Sequence, residues 1–291
     1  MGTSSMPVDS KKIGTFTDLG GRATQQDAVL ILPDFLVVQN TVIHIFGIFD
    51  GHGSEGHKAS AAAKAAFPTI FQQQSEQLLT NTQEVLKSAF KKVDEMLLND
   101  QTWDSYLSGT TAVILVIINN LVYVAHVGDS RLTIIKKADS ALIGLTTTKD
   151  HTCEVQSEKE RIMAAGGRVE QLWLDGKFAG PLRVFKGSLP YPGIAVTRTL
   201  GDAAARKIGV LSDPDVNVIE LGENDKYLLL ATDGLWDGLN MEEMLKCIRV
   251  NETPDQISHR LIKAGLKGLR AKQIDDNITN VVIGLNNGLV V

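Results

Sequence analysis

The sequence predicts an α+β fold built on antiparallel sheets. Three observations carry that expectation. Apolar runs rich in Val, Ile and Phe are short and border Gly, Asn or Asp, as strands do. Stretches rich in Ala, Gln, Leu, Lys and Glu stand apart from them instead of alternating with single strands, which argues against a βαβ array. No repeat, linker or low-complexity block divides the 291 residues, so one domain over 15–291 is expected after a flexible lead at 1–14.

Taken in order, residues 35–49 predict a hairpin that turns at Gln39-Asn40. "EGHKASAAAKAAFPTIFQQQ" and "NTQEVLKSAFKKVDEMLLND" predict two amphipathic helices; in the second, Val85, Leu86, Phe90, Val93 and Leu97 share a face. Strands follow at about 110–118 and 121–127, with Asn119-Asn120 between them, and "SRLTIIKK" is a third. "EVQSEKERIMAAGGRVE" is a short helix stopped by Gly166-Gly167. Residues 171–193, rich in Gly and Pro, read as a long surface loop or flap. "DKYLLLATDG" is a buried strand, "TPDQISHRLIKAGLKGLR" a helix, and "NITNVVIGL" a closing strand.

A hydrophobic fraction of 43% against 22% charged is that of a globular protein with a substantial core. The net charge of -5 comes without a basic stripe, so no nucleic-acid partner is expected. No apolar run matches a span of about 20 residues. Cys153 and Cys247 form no CxxC pair and the N-terminus lacks an apolar signal core, which predicts a reducing cytoplasmic or nuclear setting. Gly2 invites comparison with an N-myristoylation signal, but Met6 stands where that pattern has Ser or Thr. A monomer is expected.

The chemistry lies where apolar runs meet aspartates. "HIFGIFDGHG" ends in Asp50, Gly51 and His52; "YLLLATDG" ends in Asp233; "LVYVAHVGDSR" ends in Asp129; Asp27 and Asp276 stand just before such runs. One such aspartate is ordinarily a turn or cap residue. Five of them at neighbouring strand ends would repel one another unless cations sat among them. Hard divalent ions such as Mg²⁺ or Mn²⁺ select carboxylate and carbonyl oxygen. Two such ions about 3.5–4 Å apart make a nucleophile of bound water at neutral pH. Gly51 could bring its carbonyl close to an ion, His52 could protonate a leaving oxygen, and Arg22 could hold a phosphate. The residues alone therefore point to a two-metal hydrolase acting on a phosphate ester.

Together "GRATQQDA", "FGIFDGHG", "SGTTAVI", "AHVGDSR", "DHTCEVQSEKERIMAAGGRV", "PGIAVTRTLGD", "LLLATDGLWDGL" and "DDNIT" resemble the type 2C metal-dependent serine/threonine protein phosphatases, the PPM family. The likeness runs over about residues 14–287, in the family's order. It implies a four-layer α-β-β-α sandwich with two central antiparallel β-sheets and Mg²⁺ or Mn²⁺ in a cleft at one edge. It further implies that Asp50 bridges two ions, that the Gly51 carbonyl binds the second, and that Asp233 and Asp276 complete the first. By the same resemblance Arg22 holds the substrate phosphate, a bridging water or hydroxide attacks it, and His52 is the general acid. Asp129 and Asp237 match positions of a weaker third metal, and Asp27 joins them as a further metal or supporting carboxylate. Phosphoserine and phosphothreonine proteins are the implied partners.

The chain departs from the pattern at Gln26, where many members carry a glutamate that holds a metal-bound water; weaker ion binding is expected. "DHTCE" replaces the usual Asp-His followed by Lys-Pro or Arg-Pro, and the flap, with Trp173, Phe178 and Phe185, is longer than in the shortest members. Two rival readings compete. A catalytically weak or dead scaffold would keep the fold as a binding module, yet the metal aspartates are retained. A two-metal nuclease would suit the ions but not the acidic charge balance.

Overall fold

The computed structural model describes residues 12–139, 141–174, 176–249, 252–286 and 289–290. The chain enters on β1 (Ile13–Asp18), then forms the hairpin of β2 (Asp27–Val38) and β3 (Thr41–His52). Gln39 and Asn40 both take positive φ, 49° and 62°, the two-residue turn that matches the twist of a hairpin. Helices α1 (Gly56–Gln73), α2 (Ser75–Thr80) and α3 (Thr82–Asn99) follow. Strands β4 (Gly109–Thr110), β5 (Ala112–Ile118), β6 (Leu121–Val127), β7 (Arg131–Ala138) and β8 (Ala141–Thr146) lead to α4 (Gln156–Ala164). Next come β9 (Gly167–Leu174), β10 (Lys177–Lys186), β11 (Pro192–Ile194), β12 (Leu200–Gly201) and α5 (Ala203–Arg206). The chain closes with β13 (Asp215–Glu220), β14 (Asp225–Ala231), α6 (Asp233–Gly238), α7 (Met241–Lys246), α8 (Pro254–Lys272), β15 (Ile278–Asn286) and β16 (Leu289–Val290).

Two antiparallel sheets form the centre. The first runs β2-β3-β5-β6-β13, with β4 and β12 continuing it beside the end of β3. The second runs β1-β15-β14-β7-β8, with β16 on β15. Side-chain alternation explains the layering, because successive residues of a strand face opposite ways. In β5, Ala112, Ile114, Val116 and Ile118 pack with α1 and α3 residues such as Phe67, Phe71 and Phe90. Its Val113, Leu115 and Ile117 instead meet Leu132, Ile134, Leu228, Leu230, Val281 and Ile283 of the second sheet. The far face of that sheet, with Leu229 and Val282, packs on Leu235 of α6 and on Ile257 and Leu261 of α8. The layers are thus helix, sheet, sheet, helix, as the resemblance implies. Helix α8 starts on a capping box, Thr253 with Gln256, and carries Pro254 in its first turn.

Two expectations need correction. Residues 171–193 are not a loop: β9, β10 and β11 make a third, small antiparallel sheet, seated on Cys153, Ile162, Val184, Ile194 and Val196. Gly and Pro punctuate its turns instead of preventing strands. Ile13 and Gly14, expected in the lead, belong to β1 and pair with Ile283 and Val282. Residues 1–11, with Gly2, lie outside the described residues. No described helix is long and apolar enough to cross a membrane.

Candidate metal centre and active site

The register of the β2–β3 hairpin sets Asp27 directly opposite Asp50. Directly opposed like charges destabilise a strand pair, so this placement demands a compensating partner. The second sheet brings two more carboxylates to the same end: Asp233 where β14 passes into α6, and Asp276 just before β15. Hydrogen bonds tie the ends of the two sheets to each other and fix Asp27 and Asp50. Thr232 Oγ1 donates to Asp27 Oδ2 at 3.0 Å, and the Gln26 amide N–H donates to Asn277 Oδ1 at 2.8 Å. Thr111 Oγ1 accepts the Asp50 N–H at 3.1 Å. Asp50, Asp233 and Asp276 line a cleft of about 480 Å³ together with Arg22, Gln26, Gly51, His52 and Asp129, with Asp27 behind them opposite Asp50.

Gly51 is required where it stands. A Cβ there would lie 2.2 Å from the Gly56 carbonyl oxygen and 2.7 Å from that of Gln26. The backbone of Gly51 is therefore pressed between two chain segments, as close packing at a cleft floor demands.

Electrostatics mark the cleft as a cation site. Desolvation raises the Asp50 carboxyl well above the usual range, and Asp233, Asp27 and Asp276 add to it. Asp233 is raised in the same way, by desolvation and then by Asp129 and Asp276. Asp27 rises to about 6 and Asp129 to about 7, each mainly from desolvation. Asp276 is raised by desolvation although Arg22 Nη2 stands 3.2 Å from its Oδ1. Asp233 Oδ1 and Asp27 Oδ1 are buried with no hydrogen-bond partner. Crowded, orphaned carboxylate oxygens with a backbone carbonyl nearby are the donor set of a hard divalent ion. The residues fit Mg²⁺ or Mn²⁺.

Asp237 stands further out than its neighbours. It is exposed and does not line the cleft, though its charge acts on Asp129 and Asp233. Gln26 lines the cleft, but its Nε2 donates to the Gly53 carbonyl at 2.8 Å, a bond a glutamate could not make.

One residue beside the site had no role assigned from sequence. Asp202, 1% exposed, sits 2.7 Å from His52 Nε2 through its Oδ2. Burial alone would lower the histidine's pKa; the Asp202 carboxylate, with Asp129 behind it, outweighs burial and raises it. The signal was the "LGD" at 200–202, the same Gly-Asp strand end that singled out Asp129.

A separate group lies under the Gly128 turn. His126, His151 and Asp215 hold potential ligand atoms within 4.8 Å of one another. Their geometry is that of a brace. The two rings stack at 4.6 Å with planes 9° apart, so their in-plane lone pairs run parallel and do not converge on one point. The Gly128 N–H donates to His151 Nδ1, and Asp215 is held by Arg198 at 2.8 Å.

Comparison with known proteins agrees with this geometry. The protein phosphatase 2C family profile matches residues 17–274. "Probable protein phosphatase 2C 35" of Arabidopsis thaliana is 30% identical over 260 residues, covering 84% of this chain and 74% of that protein. "Probable protein phosphatase 2C 73" of the same plant is 28% identical over 287 residues, covering 89% and 74%. Among solved structures, serine-threonine phosphatase 2C from Toxoplasma gondii superposes with a TM-score of 0.78 at 24% identity, covering 96% of this chain and 97% of that one. With the profile spanning most of the chain and the fold matching end to end, the chain belongs to the protein phosphatase 2C family of metal-dependent serine/threonine protein phosphatases.

Proposed function

We propose that the chain hydrolyses phosphoserine and phosphothreonine esters in proteins, using two Mg²⁺ or Mn²⁺ ions held by Asp50, the Gly51 carbonyl, Asp233 and Asp276. The observation that carries this reading is the convergence of carboxylates from both sheets on one cleft that also holds Arg22 and His52. The ions would supply the positive charge that lets a water act as hydroxide near neutral pH. Arg22, half-exposed and 3.2 Å from Asp276, is free to fork its outer N–H groups onto phosphate oxygens. His52 spends Nε2 on Asp202, which leaves Nδ1 to deliver a proton to the seryl or threonyl oxygen as the P–O bond breaks. Asp27 and Asp129 support the cluster, and Thr111 and Thr232 hold Asp50 and Asp27 in register.

The test is phosphate release from phosphoserine and phosphothreonine peptides with Mn²⁺ or Mg²⁺, where Asp233→Ala should lose at least about a hundredfold in turnover. Absence of turnover with every divalent ion, together with no calorimetric ion site tighter than millimolar, would establish the scaffold reading instead.

A further inference from the structure

The cleft has a second cationic wall. The small sheet contributes Arg183 from β10 and Pro192–Ile194 of β11, which with the following Ala195 and Val196 line the same cavity as the carboxylates. Arg183 is half-buried, and burial together with the nearby charge of Arg22 lowers its pKa. Its Nη1 donates to the Gly193 carbonyl at 2.7 Å, which ties the guanidinium to the rim. Its Nε is buried without an acceptor, and among the described residues no carboxylate pairs with it. The other arginines of the β9–β12 region do have partners: Arg168 pairs with Glu170, and Arg198 with Glu158 and Asp215.

An arginine held beside another arginine, partly desolvated and without an anion, is costly in the free protein. Such an arrangement is offset when an anion arrives between the two. Arg22 is already assigned to the phosphate being hydrolysed, and Arg183 stands on the flap side of the same opening. A peptide threading the cleft would carry its neighbouring side chains past the rim.

We propose that Arg183 is a specificity-determining residue that binds a second anionic side chain, carboxylate or phosphate, close in sequence to the phosphoresidue. The inference rests on the phosphatase reading of the cleft. It makes the protein selective for acidic or multiply phosphorylated segments. Loss of Arg183 would act on KM more than on kcat, because the contact is present in the bound substrate and the transition state alike.

The experiment compares three peptides of one sequence, each with a single phosphothreonine to be hydrolysed. They carry alanine, aspartate or phosphoserine at the flanking positions. In the wild type, kcat/KM for the anionic peptides should exceed that for the alanine peptide by about five- to tenfold, falling with added salt. Arg183→Gln, which can still donate to the Gly193 carbonyl, should bring the ratio to about one, and Arg183→Glu should invert it. The aspartate and phosphoserine arms separate the two sources of anion. Equilibrium binding of the same peptides, made with a non-hydrolysable phosphonate in place of phosphothreonine, gives the ratio without turnover. Turnover with no anionic preference, or a preference unchanged in both variants, overturns the role of Arg183. A binding ratio that persists without turnover supports Arg183 and overturns the phosphatase reading instead.

Discussion

Gln26 sets an amide at the mouth of the carboxylate cleft, where the resemblance would place a glutamate, and that amide is put to use. Its Nε2–H donates to the Gly53 carbonyl, bracing the loop that follows His52. Gln26→Glu should therefore do two opposite things: tighten Mn²⁺ binding by about tenfold through added charge, and weaken the metal-free protein by setting a carboxylate against that carbonyl. Calorimetric titration reads the first effect and a metal-free urea midpoint the second. Asp202 makes a sharper prediction. In Asp202→Asn the histidine loses the charge that raises its pKa, so less of it is protonated at neutral pH and the alkaline limb of kcat should move to lower pH. Turnover of phosphopeptides should fall by about ten- to a hundredfold. p-Nitrophenyl phosphate, whose leaving group needs no proton, should be affected far less. An equal loss on both substrates would show that Asp202 acts on the structure of the loop and not through the proton.

The elements that hold the cleft walls together carry their own signature in pH. Glu158 of α4 is forked by Arg161 at 2.6 Å and contacted by Arg198 at 2.8 Å, with Thr197 donating to it as well. Burial alone would raise its pKa, but the two arginines and the threonine outweigh burial and hold it at about 2. A depressed carboxyl contributes stability above its unfolded pKa near 4.5 and loses it as pH falls toward 2, a contribution on the order of 3 kcal/mol. Glu158→Gln should be destabilised at neutral pH, with the slope of stability between pH 4.5 and 2 flattened; urea midpoints across that window measure it. Legibility also differed by element. Long apolar strands and the helices α1, α3 and α8 were plain in the sequence, because burial imposes their periods. The short β8, β13, α6 and α7 were not, since a single turn or a half-exposed edge imposes no period. The small sheet read as a loop because Gly and Pro interrupt its apolar residues every few positions, which breaks the strand period. At the site, Asp50, His52, Asp233 and Asp276 stood out as acids and a base at strand ends. Arg183 did not stand out among the cations of 171–193, since its place on the cleft wall depends on how β10 folds back.

Across the molecule, the cleft is where the two sheets conflict in the absence of cations. Asp27 and Asp129 titrate near 6 and 7 in the folded chain, against about 3.8 when unfolded. A raised carboxyl means the folded state binds more protons, so metal-free stability should fall as pH rises from about 4 to 7. Saturating Mn²⁺ should reverse that trend at pH 8 and raise the melting temperature there, while Asp233→Ala should respond to neither ion nor pH as strongly. Calorimetric melts at pH 5 and pH 8, with and without Mn²⁺, provide the check. The first and last long strands of the chain are also neighbours: Ile13 faces Ile283 at one end of the β1–β15 ladder, and Asp18 faces Ile278 at the other. Tension applied to the two chain ends would load this antiparallel ladder in the direction that opens it one bonded pair at a time. The opening would travel straight toward Arg22 and Asp276. A pull of low force at the termini would thus reach the phosphate-binding end of the cleft before it disturbed the core between the sheets.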